Sequence, residues 1–178
     1  MRASGYKRVS NDWYLEPASI VNSLLDAEPI GVDASVWDPC AGSGNIPKTC
    51  AARGIECFAS DIVDRGFGQQ FDFFTRGPEP EAEIIISNPP YGCLEEFIRH
   101  ALRLTTDRVI VLARLALLES VKREALFRDT PFARVWVIRR RVSIPPGGST
   151  VKAKNGAEAY AWFVWEHGHV GPATIGWI

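Results

Sequence analysis

The chain of 178 residues has four cysteines and three histidines, and neither set is spaced to hold a metal. Cys40, Cys50, Cys57 and Cys93 form no Cys-x-x-Cys pair, so neither a zinc knuckle nor a disulfide framework is indicated. His167 and His169 could be imagined as a metal clip, but the pair alone is weak evidence and no metal site is expected. No apolar run approaches the ~20 residues of a membrane span, and Met1 to Lys7 lacks the apolar core of a signal peptide. The expected compartment is the cytoplasm, with no membrane partner. An overall basic excess is also missing, since the net charge is −1. Its distribution is uneven, however. Between Arg99 and Arg141 eleven bases face four acids, whereas acids dominate from Asp12 to Glu96. Such a segment either meets a polyanion or solvates an outer face.

What is present suits one ordinary globular domain. Hydrophobic residues make up 46% and charged ones 23%, with six tryptophans as anchors. A chain of this length buries about 70% of its unfolded surface without staples. No repeat or linker divides it, so residues 1–178 are read as a single domain, with 1–11 a mobile arm and 145–157 a mobile loop.

Apolar patterning alternates between strand and helix. Pro17 sits at a helix start ahead of the stripe Ile20, Val21, Leu24, Leu25, which predicts a helix to about Asp26. Strands are expected at Ser35–Trp37, Glu56–Ser60, Ile84–Ile86, Arg108–Leu112, Ala133–Ile138 and Tyr160–Trp165. A little helix or strand is expected around Phe71–Phe73. Helices are expected at Ile46–Arg53, at Leu94–Leu102 and at Leu117–Phe127, with Gly54 as a left-handed cap. The alternation calls for a parallel sheet with right-handed crossovers and helices on both faces.

The chain is organised around Ser87-Asn88-Pro89-Pro90-Tyr91, which leaves the run Ile84-Ile85-Ile86 directly. Two prolines donate no amide hydrogens and hold the backbone extended, so their carbonyls stay free as acceptors. Asn88 adds a side-chain acceptor and Tyr91 a flat face, together suited to a planar group bearing an NH2, an adenine or an amide. A polyproline turn that merely ends a strand is the plainer reading of this motif alone.

A second motif lies upstream, Asp38-Pro39-Cys40-Ala41-Gly42-Ser43-Gly44. Gly42 and Gly44 permit a tight turn and close ligand approach, and a helix opens after Asn45 with its positive end toward the crevice. Asp61 closes the following strand, where a carboxylate can accept from both hydroxyls of a ribose. The fragment Gly42 to Thr49 is one residue from a phosphate-binding loop, but Pro47 stands where glycine is needed and removes an amide. Asp38 at the strand end also disfavours a phosphate and favours a cationic or amino-bearing ligand.

In order and spacing these pieces, over residues of about 12 to 103, resemble the Rossmann-like amino-methyltransferases of the adenine-N6 type. The resemblance implies an α/β class I methyltransferase fold: a mostly parallel seven-stranded sheet, helices on both faces and an antiparallel last strand. It implies S-adenosylmethionine as cofactor. Asp38, Cys40 and the Gly42 to Gly44 turn would hold its methionine part, Asp61 its ribose, Ile62 a face of its adenine and Asp72 the adenine amine, with Phe73 adjacent. Tyr14 and Pro17 look like the upstream segment that closes over the methionine end in such enzymes. Asn88, Pro89, Pro90 and Tyr91 would be the catalytic turn.

The segments Leu112 to Ser120, Arg139 to Ser143 and Tyr160 to Trp165 are similar to small methyltransferases of phages and prophages that act on DNA adenine. In that picture Arg139, Arg140, Arg141 and Ser143 line the target side. Nothing in the chain is large enough for a separate target-recognition domain, which leaves room for a partner subunit. The same turn could serve a protein glutamine amide or an RNA base, and a cofactor-binding module without catalysis is the reading from a different class.

Overall fold

A computed structural model describes residues 13–75, 81–145, 147 and 158–178. The arm expected over 1–11 and most of the loop expected over 145–157 lie outside them.

Helix α1 (Ala18–Ala27) starts after Pro17, whose extended backbone (φ −66°, ψ 141°) makes it the residue before the first turn. Its stripe Ile20, Val21, Leu24 and Leu25 is buried. Strand β1 (Val36–Asp38) leads through the glycine turn into α2 (Asn45–Ala51). Pro47 falls in the first turn of α2, where a missing amide hydrogen costs no intrahelical bond. Strands β2 (Cys57–Asp61), β3 (Gln69–Gln70) and β4 (Ala82–Ser87) follow. Then come α3 (Leu94–Leu104), β5 (Thr105–Arg114), α4 (Glu124–Arg128), β6 (Phe132–Val137), β7 (Tyr160–Glu166) and β8 (Thr174–Trp177).

The strands form one sheet in the order β3-β2-β1-β4-β5-β7-β6-β8. Strand β7 runs antiparallel to both neighbours, and every other pairing is parallel. The chain winds outward from β1 to β3, then crosses back to lay β4 on the other side of β1. A crevice therefore opens beyond the carboxyl ends of β1 and β4. Alternate residues of the central strands feed two cores. Trp37, Ile85, Val109, Val111 and Phe163 pack with Phe97 and Leu126 on one face; Val36, Ile84, Ile86, Ile110 and Trp162 pack with Leu24 and Ile46 on the other. Burial on both faces explains why these strands read as unbroken apolar runs.

Three local expectations are corrected. The expected helix over Leu117–Phe127 is broken: Ser120 takes φ +120° and accepts a hydrogen bond from Lys122 N, leaving two short 3-10 turns before α4. The element expected at Phe71–Phe73 is the two-residue β3 just upstream, after which Phe71 N donates to Asp61 O (2.8 Å). The mostly parallel sheet expected is present with its antiparallel aromatic strand, but an eighth strand, β8, lies beyond it on the outer edge of β6. Gly176 makes that pairing possible, because a Cβ there would lie 2.1 Å from the Trp136 ring.

A buried ionic knot ties α1 to the far half of the sheet. Glu28, 3% exposed, accepts from Arg108 (2.9 Å), from Trp136 Nε1 (2.7 Å) and from Arg134 through both oxygens. Burial alone would push this carboxyl upward, yet the donors from Arg134, Trp136 and Arg108 overcome it and hold its pKa below the usual range. A depressed folded-state value gives stability that is present above about pH 4.5 and is lost as pH falls below it. Glu28→Ala leaves two guanidinium groups without their shared anion and is expected to cost about 3–5 kcal/mol in urea unfolding at pH 7. A loss below about 1 kcal/mol, the range of exposed pairs, would refute this reading.

Candidate active site

The crevice contains a cavity of about 440 Å³. Of the residues singled out from the sequence, Tyr14, Cys40, Asp61, Ile62, Asp72, Phe73, Asn88, Pro89, Pro90 and Tyr91 line it. Pro17, Asp38, Gly42 and Gly44 do not, nor do Arg139, Arg140, Arg141 and Ser143.

Asn88 follows β4, and its orientation is determined by the segment ahead of α1. Its Nδ2 donates to Tyr14 O (3.1 Å) and to Glu16 Oε2 (2.9 Å). A main-chain carbonyl can only accept, so the nitrogen must face Tyr14. The amide oxygen is turned away from those two groups and carries no hydrogen bond among the described residues, as is also true of Pro89 O. Pro90 O, in contrast, accepts from Cys93 N (3.3 Å). Two acceptors without donors thus stand next to each other on the cavity wall.

The glycine turn is fastened to Asp61. Gly42 N donates to Asp61 Oδ2 (2.9 Å), and Val63 N donates to Oδ1 (2.9 Å). Each carboxylate oxygen keeps a lone pair for a hydroxyl. Gly42 (φ +55°) and Gly44 (φ +82°) are left-handed, and each also lies under an aromatic ring. A Cβ at Gly42 would come within 2.6 Å of Trp13, and one at Gly44 within 2.2 Å of Phe67. Trp13 is held by Gly147 N, which donates to Trp13 O (2.7 Å), and by the Arg65 guanidinium, 4.7 Å from its ring. Ile62 and Phe74 line the same cavity and remain partly exposed, an apolar surface that a planar ligand would cover.

Behind this wall two carboxyls share a dry space. Asp38, 1% exposed, accepts from Ser87 Oγ (2.8 Å) and from Cys40 N (3.1 Å), so it braces β1 against β4. Burial, and then the neighbouring Glu16 charge, push its pKa well up. Burial likewise raises Glu16, 5% exposed, to about 7, only partly offset by the Asn88 amide. Glu16 O also accepts from Asn45 Nδ2 (2.9 Å), which joins this segment to the start of α2.

The Tyr91 ring lies parallel to Tyr14, with centroids 6.0 Å apart and planes 12° from each other. The Arg114 guanidinium, from the end of β5, lies 5.6 Å from the same ring. Four of the eleven bases between Arg99 and Arg141 meet acids among the described residues: Arg99 pairs with Glu95, Arg108 with Glu28 and Asp107, Arg128 with Glu124 and Asp129, and Arg134 with Glu28 and Glu166. Arg139, Arg140 and Arg141 are exposed just after β6, at the same edge of the sheet as Asn88.

Sequence reasoning missed Trp13, Glu16, Arg65 and Arg114. The available signal for Glu16 was its position between Tyr14 and Pro17, an acid within a segment already singled out. For Trp13, Arg65 and Arg114 the roles depend on contacts remote in the chain.

No family model and no curated protein matches the chain. Solved structures do. A modification subunit assigned to a type I restriction enzyme from Vibrio vulnificus aligns over 93% of this chain at 13% identity and a TM-score of 0.65; the chain spans 47% of that subunit. A protein described as an RNA methyltransferase from Pyrococcus horikoshii aligns over 91% of this chain and 90% of its own, at 17% identity and a TM-score of 0.65. The magnesium protoporphyrin IX methyltransferase of Synechocystis, crystallised with S-adenosylmethionine, aligns over 83% of this chain and 76% of its own, at 16% identity and a TM-score of 0.56. The chain therefore has the Rossmann-like fold of the class I methyltransferases.

The raised Glu16 pKa carries a definite sign. A buried acid that keeps its proton until about pH 7 is more favourable folded than unfolded at low pH, so stability declines as pH rises from about 4.5 to 7. Relative to Glu16→Gln, the wild-type protein is expected to lose up to about 3 kcal/mol across that window in urea titrations. Parallel profiles for the two proteins would contradict it.

Proposed function

We propose that this chain is an S-adenosylmethionine-dependent methyltransferase that modifies an exocyclic amine of a nucleic-acid base, first among them adenine N6 in DNA. The observation that carries the reading is the pair of donor-free acceptors, Asn88 Oδ1 and Pro89 O, on the wall of a cavity beyond the glycine turn.

The residues suit the cofactor. Asp61 has oxygens left for ribose hydroxyls, Ile62, Phe73 and Phe74 offer apolar surface to an adenine, and Asp72, on the same cavity, is assigned to accept from the adenine amine. The turn from Asp38 through Cys40 to Gly44, walled by Trp13, together with the Tyr14 to Pro17 segment, is assigned to the methionine end. When bound, S-adenosylmethionine supplies an electrophilic methyl group on a sulfonium.

The chain's own contribution is to prepare the amine. An exocyclic amine on a heteroaromatic ring is a weak nucleophile because its lone pair is delocalised. Asn88 Oδ1 and Pro89 O each accept one N–H, which turns the nitrogen toward tetrahedral geometry and frees its lone pair for attack. Two fixed carbonyl dipoles also stabilise the positive charge that develops on nitrogen; as the new N–C bond forms the S–CH3 bond would break with its electron pair left on sulfur, and the extra proton on nitrogen then passes to solvent. Tyr91 offers its ring to the base, with stacking worth about 1–3 kcal/mol. A base in a duplex must first be flipped out of the stack.

Support for a nucleic-acid substrate comes from the roles ascribed to two structural neighbours, a restriction-modification subunit and a protein described as an RNA methyltransferase. The chain covers only part of the former, and a partner subunit for target recognition is part of the proposal.

Incubation with S-adenosylmethionine and unmethylated DNA, RNA and protein pools, followed by mass spectrometry of the digests, is expected to yield N6-methyladenine in DNA. Methylglutamine in protein or a methylated RNA base would redirect the assignment, and cofactor binding without transfer would make the chain a module. Asn88→Ala is expected to lower kcat by about 100-fold or more while cofactor affinity by calorimetry stays within about threefold. A fully active variant would overturn the mechanism.

A further inference from the structure

The cavity is electrostatically polar along the sheet. Asp61 and Asp72 line it on the side of β2 and β3, and Arg114 lines it on the side of β5, with Asn88 and Tyr91 between them on the β4 side. Arg65 also lines the acidic side, but it is engaged there, 3.7 Å from Asp61 and over the Trp13 ring. The Nε of both arginines is buried without a hydrogen bond, but Arg114, unlike Arg65, makes no ion pair or side-chain hydrogen bond to any described residue. Its contact is with the Tyr91 ring.

A partly buried guanidinium with an unsatisfied N–H is costly unless an anion completes it. The fork of a guanidinium matches the oxygens of a phosphate and pairs with two of them at once. Its position also selects among substrates for the proposed reaction. The acidic side suits hydroxyls and a cationic donor, whereas a cation beyond the acceptor pair suits a substrate whose amine lies within one nucleotide's reach of a negative charge. A neutral glutamine amide carries no such charge of its own.

On the basis of the methyltransferase reading above, we propose that Arg114 is a substrate-binding residue that clamps a backbone phosphate of the polynucleotide beside the base held by Asn88 and Tyr91. The guanidinium lies 5.6 Å from the centre of the Tyr91 ring, on which a planar base would stack. Substrate entry moves it from the ring to the phosphate, so that one motion vacates the stacking surface and neutralises the entering chain.

The test uses an adenine-containing duplex oligonucleotide, with wild type, Arg114→Gln and Arg114→Lys compared over a range of salt concentrations. For Arg114→Gln the oligonucleotide Kd is expected to rise about tenfold or more, and the slope of log affinity against log salt to shrink by about 0.9, the contribution of one duplex phosphate contact. Arg114→Lys keeps the charge and should keep most of the slope while losing the bidentate fit. Cofactor affinity, measured by calorimetry, should be unchanged in both and serves as the check on folding. Equal oligonucleotide affinity and equal slope in wild type and Arg114→Gln would overturn the proposal even with DNA methylation intact. A wild-type protein that binds cofactor but neither binds nor methylates any polynucleotide would instead sink the nucleic-acid reading itself.

Discussion

One amide group decides how this crevice can act. Asn88 has a donor end and an acceptor end of nearly the same shape, and only its partners determine which one a ligand meets. Tyr14 contributes a carbonyl that cannot donate, at 3.1 Å, and Glu16 a carboxyl oxygen at 2.9 Å, so the donor end is held against the segment ahead of α1. The acceptor end is left for the cavity. The segment that provides those partners is itself anchored at both sides, by Asn45 Nδ2 donating to Glu16 O and by Leu15 N donating to Pro145 O (2.9 Å). Removing that anchoring would free the amide to rotate and present hydrogens where an amine must donate.

The sheet topology puts this arrangement where a cofactor and a substrate can meet. Because the order of strands reverses between the parallel neighbours β1 and β4, the glycine turn and the Asn-Pro-Pro-Tyr turn lie side by side although they are more than forty residues apart in sequence. Asp38 strengthens the junction, since its carboxylate accepts from Ser87 Oγ immediately before Asn88. Burial raises the pKa of both carboxyls, and the Glu16 charge adds to the rise at Asp38.

The elements legible in the sequence were those whose signal is local. Pro17 before an apolar stripe, two glycines flanking a turn and two prolines after an isoleucine run each fix backbone geometry through their own covalent structure. Burial on both faces made β4, β5 and β7 plain as apolar runs. Less visible were features created by distant contacts. Glu16 reads as an ordinary helix-start acid until it is found against Asn88, seventy-two residues away. Trp13 and Phe67 cover Gly42 and Gly44 only in the folded chain. Ser120 interrupts a helical pattern through its backbone conformation, and β8 is a short exposed strand that Gly176 admits beside Trp136. The basic segment was only partly legible in the same way, because Arg108 and Arg134 meet acids contributed from elsewhere.

The central claim concerns which end of the Asn88 amide faces the reacting centre, and a crystal structure with S-adenosylhomocysteine tests it most directly. The account predicts the ribose on Asp61, the adenine against Ile62 and Phe74, and the Asn88 oxygen and Pro89 carbonyl both facing the gap beside the sulfur. Asn88 with its nitrogen turned into that gap, or the ligand bound outside the crevice, would contradict it.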